Sequence, residues 1–154
     1  MKRIYIYAAA LLLTAASETK AFDFTVDGRH YTITSPTTVT LEQIEKVGTE
    51  VTVNATVEYE RHQLTVTAIG GGLLYTDRSV VQRVTLPETI ETIGNRVFLS
   101  CESLRQINLP NGLRVIRDEA FNSCPHLQID IWPDSLQTIG EDAFAGCLAL
   151  KDVD

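Results

Sequence analysis

Most of the residue groupings that announce chemistry are missing from this sequence. It has three cysteines and three histidines in 154 residues. An odd cysteine count cannot close into a complete disulfide framework. No C-x-x-C or clustered-histidine spacing offers ligands to a metal. There is no G-x-S-x-G elbow, H-E-x-x-H pair or G-K-[ST] phosphate loop. Gly70-Gly71-Gly72 is glycine-rich but carries no lysine, and reads as a loop. His30, His62 and His126 are scattered and fall in expected turns. The sequence therefore predicts no catalytic residue, no metal and no cofactor. Basic residues are also few, 13 against 20 acidic ones for a net charge of −7. Such a surface repels phosphate backbones and argues against nucleic acid as a partner.

Long apolar runs are absent as well. The longest, the uncharged stretch 4–16, follows Lys2 and Arg3 and precedes small residues. A membrane span needs ~20 residues, so this pattern reads as a secretory signal peptide over residues 1–21. Cleavage is expected after Ala21, with Ser17 as the alternative. Removing the segment takes away Lys2, Arg3 and Lys20 but only one acid, Glu18, so the mature chain is more acidic still. The expectation is an exported protein (secreted, periplasmic or cell-surface) with no membrane span after cleavage.

What is present is a repeat. Pro87, Pro110 and Pro133 are evenly spaced, and the same step separates Ile93, Ile116 and Ile139, Phe98, Phe121 and Phe144, and Cys101, Cys124 and Cys147. Looser apolar columns run between them, such as Val81, Leu104, Leu127 and Leu150. Three scarce residue types coinciding at one step, of about 23 residues, mark a solenoid. One unit reads Leu104-x-x-Ile107-x-Leu109-Pro110-x-x-Leu113-x-x-Ile116-x-x-x-Ala120-Phe121-x-x-Cys124. Its L-x-x-I-x-L start predicts a strand, which Pro110 ends by withholding a ladder donor. Pro110-Asn111-Gly112 has turn chemistry. Asp118-Glu119-Ala120-Phe121 and Glu141-Asp142-Ala143-Phe144 suit one helical turn with acids at its positive end. Helical returns would separate adjacent units by about 8–10 Å, beyond the ~7 Å reach of a disulfide, so the cysteines are assigned to packing.

This pattern resembles the BspA-type leucine-rich repeats of bacterial surface proteins. Residues 81–154 carry nearly three units. Residues 64–80 form a degenerate one, in which Val66-x-x-Ile69-Gly70 echoes Ile90-x-x-Ile93-Gly94. Residues 23–70 are similar to the β-rich lead-in of such proteins. The resemblance implies a non-catalytic module for adhesion or host and cell-surface interaction, with a protein ligand such as a host matrix or serum protein.

Residues 22–63 read as strands. Phe22, Phe24 and Val26 alternate before an Asp27-Gly28 hairpin turn, and Val51, Val53, Ala55, Val57 and Tyr59 give a long period-2 run. The expected architecture is an α/β solenoid: a signal peptide (1–21), an antiparallel β cap (22–63) and a short leucine-rich repeat array (64–154). No cap is visible at the C-terminal end. A homodimer through that edge, or a structural role in the cell envelope, is the alternative function.

The outward positions of the strands supply the candidate ligand face, taken as concave: Gln82, Arg83 and Thr85 from one unit, Arg105, Gln106 and Asn108 from the next, then Lys151 and Asp152. Arg83 and Arg105 make it a locally basic strip. The third unit breaks step, since Asp130 falls in the apolar column of Val84 and Ile107. Burying an unpaired aspartate is costly. A one-residue shift that buries Ile129 and Ile131 is therefore favoured over an exposed Ile129/Ile131 patch. Trp132 is expected in the core.

Overall fold

The computed structural model describes residues 22–74 and 78–150. The expected signal peptide and the outward positions Lys151 and Asp152 lie outside the described residues.

The chain opens with a hairpin of β1 (Phe24–Val26) and β2 (Arg29–Ile33). Asp27 and Gly28 both have positive φ, 49° and 68°, as the tight turn between twisted strands demands. β3 (Thr38–Ile44) pairs antiparallel with β2. After β4 (Glu50–Thr52), a second hairpin joins β5 (Thr56–Tyr59) to β6 (His62–Ile69). Short strands follow once or twice per repeat: β7 (Arg83–Thr85), β8 (Thr92–Ile93), β9 (Gln106–Ile107), β10 (Val115–Ile116) and β11 (Thr138–Ile139).

Two sheets run along the solenoid. One follows the order β1-β2-β3-β6-β8-β10-β11, with β5 beside β6; the other is β4-β7-β9. β3 pairs in parallel with β6, and β4 in parallel with β7. Two strands of the expected antiparallel region are therefore already coils of the solenoid. Antiparallel pairing is confined to β1–β2–β3 and β5–β6 among the described residues.

The sequence columns are the core. Val81, Val84, Leu86, Ile90, Ile93, Phe98 and Cys101 are buried in one coil, and Leu104, Ile107, Leu109, Leu113, Ile116, Phe121 and Cys124 in the next. The rings of Phe98, Phe121 and Phe144 stack with centroids 5.0 and 5.1 Å apart. This is the spacing of hydrogen-bonded neighbours, about 4.7–4.9 Å.

No helix occurs among the described residues, which corrects the α/β label: the fold is a β-solenoid. The returns take another course for a backbone reason. Arg96, Glu119 and Asp142 occupy one left-handed column, and Ser100, Ser123 and Gly146 another, a few positions later. Two positive-φ residues per return break the i→i−4 ladder, and so short a helix could not offset its own nucleation cost. The amide groups bond between coils instead. Phe98 N–H donates to Ala120 O at 2.8 Å and Ser100 N–H to Asn122 O at 2.8 Å; Phe121 and Ser123 repeat this to Ala143 and Ala145 at 2.8 and 2.7 Å. The wide helix-packing separation expected at the cysteines therefore does not apply.

Side chains join the same traffic. Asn108 accepts the Leu86 N–H at its Oδ1 and donates from Nδ2 to the Leu86 carbonyl, both at 2.8 Å. Its amide stands in for the next stretch of backbone where the strand pairing of β7 and β9 ends. Ser135 Oγ donates to Leu113 O at 2.6 Å, and the Glu88 carboxylate accepts Asn111 N–H at 3.0 Å.

Two stability outcomes follow from this packing. Phe121→Ala removes the middle ring of the stack, which is fully buried, and should cost about 3–5 kcal/mol in chemical denaturation. Asn108→Ala should cost about 1–2 kcal/mol by losing two bonds to the Leu86 backbone; an unchanged denaturation midpoint would show that the bidentate contact contributes nothing.

Candidate functional site

The outward residues of β4, β7 and β9 form one face. Because pleated strands alternate, Val51, Val84 and Ile107 turn inward while Glu50, Arg83, Thr85 and Gln106 are exposed. Register aligns Glu50 with Arg83, Arg83 with Gln106, and Gln106 with Gln128. Gln82 and Arg105 precede the strands and are also exposed. Their backbones are linked, Arg105 N–H donating to Gln82 O at 2.9 Å and Gln128 N–H to Arg105 O at 2.8 Å.

Two adjoining hollows lie on this face. One, of about 320 Å³, is lined by Thr49, Glu50, Gln82, Arg105, His126 and Gln128 together with Arg83 and Gln106. The other, of about 410 Å³, is bounded by Thr85, Glu88, Asn108, Asn111, Asp130 and Ile131, again with Arg83 and Gln106. Arg83 and Gln106 thus sit on the divide. The six sequence candidates that fall among the described residues line one hollow or the other.

The structure changes the character of the face in two respects. It is of mixed charge and not a basic strip, since Glu50 stands beside Arg83, with Glu88 and Asp130 at the far side. Glu50 falls outside the sequence columns because β4 and its partner β7 are separated by more than one repeat. Asn108, counted among the ligand residues, holds the neighbouring coil with both ends of its amide.

The third unit shifts as the aspartate requires, but only in part. The Gln106–Gln128 bridge is one residue short of the period, which places Ile129 in the apolar column, packed against the core. Trp132 and Pro133 then return to step, so Asp130 and Ile131 bulge outward. Ile131 is 73% exposed and joins the larger hollow, contrary to its expected burial. Trp132 is half-buried and meets Phe144 edge-on at 5.3 Å.

Among the described residues, no group of three or more His, Cys, Asp or Glu side chains could hold a metal ion. His30 and His62 lie in strands and not in the expected turns. His30 stacks on Phe22 at 4.5 Å and stands 3.2 Å from Glu45, and His62 Nδ1 contacts Glu60 O at 2.9 Å.

Comparison with known proteins bears on the whole solenoid. The family model for the BspA type leucine-rich repeat region matches residues 67–154, in six copies. A leucine-rich cell surface protein from Faecalibacterium prausnitzii superposes with a TM-score of 0.75 at 24% identity, over 80% of this chain and 34% of its own. A leucine-rich repeat protein from Bacteroides ovatus gives 0.72 at 29% identity, over 82% and 33%. The leucine-rich repeat protein of T. pallidum gives 0.72 at 31%, over 82% and 57%. The chain thus spans about a third of the length of the first two. No curated protein matches it. The repeat columns, the stacked coils and the family match over residues 67–154 agree: the chain belongs to the BspA-type leucine-rich repeat family.

Proposed function

We propose that this chain is an exported, non-catalytic protein-binding module that engages its partner through the β4-β7-β9 face. The observation that carries the reading is the set of exposed polar side chains, Gln82, Arg83, Thr85, Arg105 and Gln106, presented by consecutive coils over two adjoining hollows. Backbone bonding between the coils fixes their spacing, so little order is lost when a partner docks. Family membership supports a protein as that partner. Residues 1–21, with their basic start and apolar run, support export, and adhesion to a host or neighbouring-cell protein is the specific role.

In this reading the β1–β2 hairpin, within the expected cap of residues 22–63, closes the N-terminal side of the coils. Phe24 stacks on Tyr31 and Tyr59 at 5.2 and 4.1 Å, and both Phe24 and Tyr31 are buried. A solenoid's first coil needs such cover. A second reading, assembly with another copy in the cell envelope, draws on exposed apolar side chains, Ile139 at 50% and Leu148 at 83%.

Binding of the purified chain to immobilised matrix and serum proteins tests both. Under the first reading binding is saturable and weakens at least tenfold in the Arg83→Glu/Arg105→Glu variant, which reverses charge on the divide at Arg83 and in the smaller hollow at Arg105. A folded chain that binds nothing, but sediments as a concentration-dependent dimer, would put assembly ahead.

A further inference from the structure

The cysteine column has a geometry that packing alone does not require. In each unit the thiol follows the stacked phenylalanine at the same short interval: Cys101 after Phe98, Cys124 after Phe121, Cys147 after Phe144. The ring stacks set the step between coils at 5.0 and 5.1 Å. A coil step of about 5 Å falls inside the ~4.4–6.8 Å Cα window of a disulfide for residues one coil apart. Cys101 and Cys147, two coils apart, stand roughly 10 Å from each other, beyond its ~7 Å limit.

The thiols also lean across the gap. Cys124 Sγ donates to the Phe98 carbonyl at 3.0 Å, the same oxygen that accepts the Cys101 N–H at 3.2 Å. Cys147 Sγ repeats the contact one coil later, to the Phe121 carbonyl at 3.1 Å. All three are free thiols, and Cys124 has a neighbour one step away on either side.

We propose that this column is a redox site that takes one disulfide between adjacent coils, always through Cys124, with a small disulfide such as oxidised glutathione as the oxidant. A protein thiolate attacks the donor's S–S bond, one donor thiolate leaves and takes up a proton, and a mixed disulfide remains. The neighbouring protein thiol gives up its proton and attacks the protein-side sulfur, breaking the mixed bond and releasing the second donor thiol. The protein loses two hydrogens and two electrons, and the donor gains both.

Cys147 is the thiol nearest solvent, 8% exposed where the other two are fully covered. A donor reaches the column there through local opening. Exchange is slow even then. Contact with the Cys101 thiol, opposed by contact with Cys147 and helped by burial, pushes the Cys124 thiol up to about 12. Contact with Cys124, then burial, pushes Cys147 upward too, while contact with Cys124 lowers Cys101, so thiolate is scarce at Cys124 and Cys147.

Incubation of the full chain with oxidised glutathione, followed by free-thiol counting and non-reducing peptide mapping, tests this. Free thiols should fall from three to one, with the disulfide always containing Cys124. Cys101→Ala should still form the Cys124–Cys147 bond and Cys147→Ala the Cys101–Cys124 bond, while Cys124→Ala forms none within the chain. A Cys101–Cys147 bond, a bond only between chains, or a folded wild-type chain that keeps all three thiols overturns the proposal. If Cys124→Ala does not fold, the wild-type map and the other two variants decide it.

Discussion

Everything in this molecule depends on the hydrogen bonds that run along the solenoid axis. Each coil alone has an apolar interior facing nothing and a backbone whose donors point away from it. Stacking at about 5 Å covers the interior and pairs the donors in one step, in both sheets and in the returns. The same spacing lets one residue type serve repeatedly, since a phenylalanine or cysteine meets its own kind in the next coil. Interior positions are thereby held to apolar side chains, and in the Phe and Cys columns to one identity, while outward positions are left free to differ.

That division decides what could be read from the sequence. Interior columns were legible because scarce residues recur in step, and the buried set of Ile93, Ile116, Phe98 and Phe121 follows them. The returns misled, because acids before an Ala-Phe pair look like the start of a helix. What prevents the helix is a left-handed backbone at Arg96, Glu119 and Asp142. None of these is the glycine or asparagine that usually marks such a position. Column logic also fails wherever a partner lies off the period. Glu50 reaches Arg83 across well over one repeat, and Gln128 reaches Gln106 across slightly less than one.

On the β4-β7-β9 face, exposed residues share an origin but not a role. Arg83 and Gln106 divide the two hollows. Asn108, at an equivalent outward step, is committed to Leu86. Ile131 enters the face because a carboxylate at position 130 could not enter the core. An apolar side chain in one hollow is thus the by-product of an electrostatic constraint on its neighbour.

The parallel pairing of β7 with β9 and of β8 with β10 has a consequence for how such a chain acquires its shape. A coil finds its template already laid down by the segment that precedes it, so order can propagate in the direction of synthesis. The sequence distance across each new contact stays near one repeat however many coils are added. As an array lengthens, its relative contact order falls, and growth need not carry the kinetic penalty that lengthening imposes on folds knit from distant strands.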